Sequence, residues 1–414
     1  MLSALSRSAT LRTLIGVLIA TGAHGLSSRL TAGQTSSPAN PARGAGSGVC
    51  GIADPAYIRV ANETGGIPLF LERSEAAKTF HFVRESSRNN MALVFWATGV
   101  LDGNGQAIEI PVDSLTGRIT FTFSVATRDT RLTLRKPSDE IITEQSKETE
   151  ITELNCGRIV TVVSPESGIW RAEISGRGTF WLEAQAQSDI QFISVKFVKE
   201  GGRPGHEGLF PISGQPLAGA PATLEASLSA AATETTEFHL VSEDGKIIQT
   251  IDMRPVNSDR EFLELVGALD LPKVPFRVSV TGRDSAGVQY QRFFPGLFHA
   301  ESVEVSAESS FEELPAGTTM RAAFKVRNVG PPGTFKITAT DARKFVTALE
   351  PQQLSLDANG LGTIGVELTV PAGTVPGVGD DVVVVAAGTS RPATSNSCVV
   401  HVSVSRPGAK PDSP

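Results

Sequence analysis

Apolar and polar positions along the chain fall into two regimes. Over residues 55–88 the apolar residues recur at helical spacing. PAYIRVA predicts a short helix over 55–61, stopped by Gly65-Gly66, and Ala76, Ala77, Phe80 and Val83 predict a second helix over 74–88 with Ser74 as its N-cap. A short apolar strand, 67–71, lies between them. From Gln106 onward the period drops to two. In 118–126 the residues Ile119, Phe121, Phe123 and Val125 alternate with Thr120, Thr122 and Ser124, the pattern of an antiparallel strand with one face in a core.

Further strands are expected at 131–135, 158–164, 169–175, 179–187 and 190–199, separated by turn-forming runs such as Lys136-Pro137-Ser138. A second series follows the Gly201-Gly202-Arg203-Pro204-Gly205 break, at 222–228, 237–241, 246–252 and 276–282. A third comprises 320–327, 335–340, 364–370, a fully buried run at 382–385, and 400–404. The chain therefore reads as mainly β, with tandem antiparallel β-sandwiches and a short N-terminal α/β segment. The expected limits are a helix-strand-helix segment over 50–104, then sandwiches over 105–200, 205–298 and 300–405, with a disordered tail over 406–414.

Composition adds compartment more than chemistry. The 414 residues include 40 Gly and 25 Pro but only 4 Met and 2 Tyr, which suits short strands and punctuated turns. Lys and Arg number 37 against 44 Asp and Glu, a net charge of -7, so no basic excess exists to neutralise phosphates and nucleic acid is excluded as a partner. Arg7 and Arg12 precede an apolar run over 14–23 that ends in Ala23-His24-Gly25, the pattern of a cleaved export signal over residues 1–25. Residues 26–49 are rich in Ser, Ala, Gly and Pro and read as a flexible linker. The mature chain is expected to be extracellular or periplasmic, without a transmembrane span.

Three cysteines suit an oxidising compartment. Cys50 with Cys156 is the preferred pair, because Cys398 lies far down the chain; three separate buried thiols are the competing reading.

The runs IPVDSLTGRITFTFSV, LTLRKPSDEII and IVTVVSPESGIWRAEISGRGTFWLEAQAQSDIQFISVKF resemble the segment that follows the von Willebrand factor A domain in hemicentin and related extracellular proteins. The resemblance implies a galactose-binding-like sandwich over about 105–200, followed by immunoglobulin-like domains. AYIRVANETGGIPLFL and the helix after it resemble the end of an A domain. RAAFKVRNVGPPGTFKITATD and VELTVPAGT resemble an immunoglobulin-like domain appended to bacterial secreted and cell-surface proteins. The A domain's Asp-x-Ser-x-Ser cation loop has no counterpart: Asp113-Ser114-Leu115 and Asp284-Ser285-Ala286 both fail at the third position. Metal-dependent adhesion is therefore not implied.

Signatures of catalysis are absent from the sequence. His206-Glu207 lacks the second His of a metalloprotease helix, and neither a nucleophile elbow nor a phosphate loop occurs. No cofactor or metal is expected, and the chain reads as a non-enzyme. Asp102-Gly103-Asn104-Gly105 is a turn former. The candidate ligand-binding residues are Trp181, Glu183 and Gln185. They alternate with Phe180, Leu182, Ala184 and Ala186, and so share the face opposite the core. An exposed Trp181 beside these polar groups would stack a sugar ring; the competing reading buries it under the neighbouring domain or the N-terminal helices. The expected role is structural or adhesive binding of an extracellular or envelope protein or glycan, with carbohydrate recognition through the first sandwich as the alternative.

Overall fold

In a computed structural model, the described residues are 19–21, 48–51, 54–86, 90–201, 205, 207–229, 237–257, 262–308, 313–390 and 394–406. Most of the expected export signal, residues 26–47 of the expected linker, and 407–414 of the tail lie outside them. The chain divides into two compact units, one of residues 1–195, 226–266 and 276–297, the other of residues 196–225, 267–275 and 298–414.

The first unit opens with strand β1 (Ile19–Thr21), which lies within the expected export signal and pairs in parallel with β2 (Leu69–Leu71). Between them runs helix α1 (Pro55–Thr64). The Asp54 carboxylate accepts the Ala56 N–H at 2.9 Å, Pro55 supplies a preset helical φ, and Gly65 ends the helix at φ 75°. Glycine is needed at 65 for a second reason: a Cβ there would lie 2.7 Å from Pro295. Helix α2 (Ala76–Ser86) starts two residues later than the sequence predicts. At its start stands Glu75 instead of Ser74 alone, buried, with its carboxylate accepting the N–H groups of Glu72 and Asn155.

The first sandwich comprises β3 (Met91–Asp102), β4 (Gln106–Val112), β5 (Arg118–Val125), β6 (Arg131–Arg135), β7 (Thr149–Leu154), β8 (Gly157–Val163), β9 (Gly168–Ser175) and β10 (Arg177–Gln187). Its sheets have the orders β3-β10-β5-β8-β7 and β4-β9-β6. The core forms as the alternation predicts: Ile119, Phe121, Phe123 and Val125 meet Phe180, Leu182, Trp170 and Ile174. Trp170 is fully buried and donates its indole N–H to the Glu166 carbonyl at 2.8 Å.

Two expectations need correction here. β3 falls in the segment expected to be helix-strand-helix, yet it pairs along the whole of β10 and belongs to the sheet. Its run Leu93 to Ala97 is buried at every position, so no alternation marked it. The polar face of β5 is also buried, with Thr120, Thr122 and Ser124 each no more than 5% exposed.

After the first sandwich come β11 (Phe192–Gly201), β12 (Gly208–Pro211), β13 (Ala222–Ser229), β14 (Glu237–Ser242), β15 (Ile247–Ile251), β16 (Arg254–Asn257), β17 (Phe262–Leu269), β18 (Phe276–Arg283) and β19 (Gln289–Phe293). Strands β11, β13 and β17 run from one unit into the other. The antiparallel sheet β15-β14-β18-β19 lies wholly within the first unit.

In the second unit, β20 (Val303–Ala307), β21 (Glu313–Pro315), β22 (Thr319–Asn328), β23 (Gly333–Thr340), β24 (Val346–Glu350), β25 (Gln353–Leu356), β26 (Leu361–Thr369), β27 (Gly379–Gly388) and β28 (Ser395–Ser405) form sheets of order β20-β22-β26-β24 and β21-β28-β27-β23-β25. The core is built from alternate residues such as Phe324, Val326, Ile364, Val366 and Val402. The run 382–385, expected to be buried throughout, instead alternates: Val382 and Val384 are buried, Val383 and Val385 half-buried. An antiparallel sheet keeps one wetter face, and here valine occupies both. Cys398 is a buried free thiol.

Candidate functional site

All three residues singled out on β10 lie in the first unit. Register places Trp181 beside Thr98 and Ser124, Glu183 beside Trp96 and Thr122, and Gln185 beside Leu93 and Thr120. The three share one face, as the alternation requires, but that face is covered. Trp181 is 4% exposed and Glu183 1%, while Gln185 is half-buried. The Trp181 indole N–H donates to Asn62 Oδ1 at 3.2 Å, and its ring lies 5.6 Å from that of Phe70. Helix α1 and β2 thus occupy the space a sugar ring would need. Of the two readings of Trp181, the structure shows the one that buries it under the N-terminal helices and not the one in which it stacks a sugar, because helix and strand together remove its ring from water.

The same cover gives Glu183 and Arg277 their character. Arg277 comes from β18 and is 1% exposed. Its guanidinium lies 4.0 Å from the centroid of the Trp96 ring and donates to the carbonyls of Asn62 and Pro295. Asn62 lies in the last turn of α1, where a cation also meets the negative end of the helix dipole. Burial lowers the Arg277 guanidinium from its usual range to about 9, opposed by the charges of Glu243 and Glu183. Burial likewise pushes the Glu183 carboxyl up to about 7, opposed by a 2.6 Å hydrogen bond from Gln185 and by the Arg277 charge. Trp96 completes the cluster by donating to the Gly66 carbonyl at 3.0 Å.

A second buried charge cluster lies where the loop after β4 meets β18 and β19. Arg292 and Asp113 form an ion pair at 2.7 Å with side chains 1% and 0% exposed. Arg292 also donates to Ser188 Oγ at 2.6 Å and to the carbonyls of Ile190 and Gln291, each at 2.7 Å. Asp113 further accepts from the Leu115 N–H and the Thr116 hydroxyl. Beside it, Asp284 accepts both the N–H and the hydroxyl of Ser114, and the N–H groups of Ala286 and Val288. Burial acts to raise the Asp284 carboxyl, but these hydrogen bonds outweigh it and hold the group below the usual carboxylate range. Asp113-Ser114 and Asp284, from the two stretches that failed as cation loops, therefore meet in one clamp.

Cys50 and Cys156 are joined by a disulfide with Cα atoms 5.7 Å apart. The Cys50 N–H also donates to the Ala126 carbonyl, so the segment before α1 is fixed covalently to the turn between β7 and β8 and by a hydrogen bond to the end of β5. Among the described residues, no group of three or more His, Cys, Asp or Glu side chains is placed to hold a metal ion. Among them, too, no helix is long and apolar enough to cross a membrane.

Residues 302–406 match the family described as the VWA7 Ig-like domain. That stretch is a VWA-related immunoglobulin-like region. Within this VWA-related region lie all of β20 to β28. No curated protein matches the chain. Among solved structures, it is similar to the full ectodomain (Ig1–Ig3) of mouse nectin-like molecule 4, with a TM-score of 0.17 and 11% identity over 74% of this chain and 96% of that one. It is similar to the fibronectin(III)-like modules of Clostridium thermocellum CbhA, with a TM-score of 0.16 and 11% identity over 51% and 96%. It is also similar to Bacteroides ovatus SGBP-B in complex with a mixed-linkage heptasaccharide, with a TM-score of 0.20 and 14% identity over 75% and 70%. At these identities and TM-scores none of the three carries a functional argument.

Sequence reasoning did not find Arg277, Trp96, Arg292 or Asp113 as interior groups. Arg277 sits between Phe276 and Val278, and simple alternation assigns it to a solvated face. The usable signal was at Trp96, inside an apolar run without alternation, which marks a strand covered on both sides and hence a second layer over β10.

Proposed function

We propose that the chain is a secreted or cell-surface β-sandwich protein with a structural, adhesive binding role, acting without catalysis. The observation that carries this reading is the use made of the buried charges in the first unit. Arg277 of β18 holds α1 and rests on Trp96 of the first sandwich, with Glu183 buried nearby and bonded to Gln185, while Asp113, Arg292, Ser114 and Asp284 clamp the sheet β15-β14-β18-β19 to the loop after β4. Groups with the capacity for acid–base chemistry are buried and taken up by hydrogen bonds, a ring or an ion pair inside the unit, which suits a body that transmits load or presents a surface. The Cys50–Cys156 bond supports export, since such bonds persist in oxidising compartments. Carbohydrate recognition through β10 is not carried forward, because Trp181 is covered.

The test is fractionation of producing cells followed by peptide mapping. The expected result is a chain in the medium or envelope that lacks residues 1–25 and holds Cys50 bonded to Cys156. An intact chain with reduced cysteines in the cytosol would overturn the reading.

A further inference from the structure

The outer edge of the sheet β15-β14-β18-β19 is built differently from its other end. Among the described strands β15 pairs with β14 alone, which leaves its outer row of backbone N–H and C=O groups open as a template for another strand. Ile247 and Ile248 on this strand are 60% and 40% exposed. Charged residues bracket them, Asp244 and Lys246 before the strand and Asp252 and Arg254 after it. Their side chains are 41%, 78%, 83% and 83% exposed. Among the described residues each forms an ion pair only locally, Lys246 with Asp244 at 2.6 Å and Arg254 with Asp252 at 3.4 Å. Exposed pairs of this kind contribute little to folding.

The order of signs is the informative feature. Minus then plus precedes the apolar pair, and minus then plus follows it. Two such strands laid parallel in register would set Lys246 on Lys246 and Asp252 on Asp252. Laid antiparallel about Gln249, they bring Lys246 of one copy to Asp252 of the other, and Asp244 to Arg254. Each charge then meets its opposite, while Ile247 of each copy comes opposite Ile251 of the other and Ile248 opposite Thr250, so exposed apolar surface of both strands is covered along the same seam. We propose that this edge is a homotypic contact, in which a second copy of the chain adds its β15 antiparallel to the first around a two-fold axis. The register shift between Leu240 and Val241, where β15 carries an extra residue, bends the strand and keeps the contact short. A contact this small falls below the roughly 1,200 Å² typical of stable complexes, so the dimer is weak and reversible. The inference does not rest on the cellular compartment.

The experiment is sedimentation equilibrium of the purified full chain from about 1 μM to about 200 μM, the range in which a weak dimer dissociates. A monomer–dimer equilibrium is expected, weakened at least about tenfold in Lys246→Asp, which sets like charges opposite each other at both ends. The double variant Lys246→Asp/Asp252→Lys exchanges the signs and restores the dimer. Thermal unfolding of each variant at low concentration controls for folding, since both positions are exposed. Hydrogen exchange at high concentration is expected to protect amides 246–252. A chain that stays monomeric throughout, a Lys246→Asp variant that dimerises as well as the parent, or a double variant that fails to recover would each overturn the proposal.

Discussion

Two arginines fifteen residues apart in sequence, Arg277 and Arg292, are buried in the same unit and solve the cost of burial in opposite ways. Arg292 has a carboxylate in contact, Asp113 at 2.7 Å, and a hydroxyl and two carbonyls accept three more of its N–H groups. Among the described residues Arg277 forms no ion pair with a carboxylate. It rests on the Trp96 ring, donates to two carbonyls, and feels Glu183 and Glu243 only through their fields; its Nε has no hydrogen-bond acceptor among the described residues. The first arrangement is a closed ion pair, which is costly to break from either side. The second is a cation held by helix, ring and field, whose nearest acid can take up a proton and adjust. Position alone does not explain the difference; what matters is whether the counter-charge can be neutralised in place.

The contrast is sharpest in Arg292→Met. Removal of the guanidinium leaves the Asp113 carboxylate in the interior without its counter-charge, and the expected cost is about 3–5 kcal/mol in urea unfolding. Addition of Asp113→Leu to the same chain is expected to recover part of the loss, because an apolar pair of similar volume replaces the ion pair. A single variant with near-parental stability would show that the pair is not a closed unit.

For Glu183 the corresponding experiment is a pH series. Its folded value of about 7 lies above the ordinary 4.5, so the folded state binds the proton more tightly than the unfolded state does. The associated stability is full below about pH 4.5 and is lost as pH rises through about 7, amounting to about 3 kcal/mol across that window. Glu183→Gln is expected to flatten this slope and to be the more stable chain at pH 8. Parallel stability profiles for parent and variant would remove Glu183 from the adjusting role.

Arg277→Met is expected to cost less than Arg292→Met, about 2 kcal/mol, chiefly from the carbonyls of Asn62 and Pro295 left without a donor. Loss of the nearby positive charge also raises the Glu183 carboxyl further, so the pH window over which stability is lost keeps its lower end and extends upward. In a Glu183→Gln background that shift disappears, and the two substitutions are expected to be non-additive. If Arg277→Met proves as costly as Arg292→Met, the comparison fails.

Much of this fold was legible in the sequence, and the interior charges were not, for one physical reason. Alternation in β5 placed Ile119, Phe121, Phe123 and Val125 on the core side, because a period of two follows directly from the pleat. The same reasoning left Thr120, Thr122, Glu183 and Arg277 in water, since polarity was read as exposure. Periodicity records which face is apolar, and it carries no information on what a distant part of the chain lays over the other face. Threonine is acceptable under such a cover when its hydroxyl finds a partner, as Thr120 does with Thr161 at 3.0 Å. The preferred pairing of Cys50 with Cys156 is the pairing present in the structure, and it places the segment leading into α1 beside the first sandwich.

The finest test of the comparison lies at Trp181, which touches the Arg277 cluster through Asn62. Asn62 accepts from Trp181 through its side chain and from Arg277 through its carbonyl, so the two donors hold the same turn of α1 from two sides. Trp181→Phe keeps most of the ring packing against Phe70 and removes the indole N–H. The expected cost is about 1 kcal/mol, the typical net value of one hydrogen bond. If the turn is held jointly, the loss is larger in an Arg277→Met background, where neither donor remains, and hydrogen exchange at the last turn of α1 accelerates before the rest of the unit. Equal losses in both backgrounds would mean that Trp181 and Arg277 grip the helix independently, and that the cation's hold on α1 is local to its own two carbonyls.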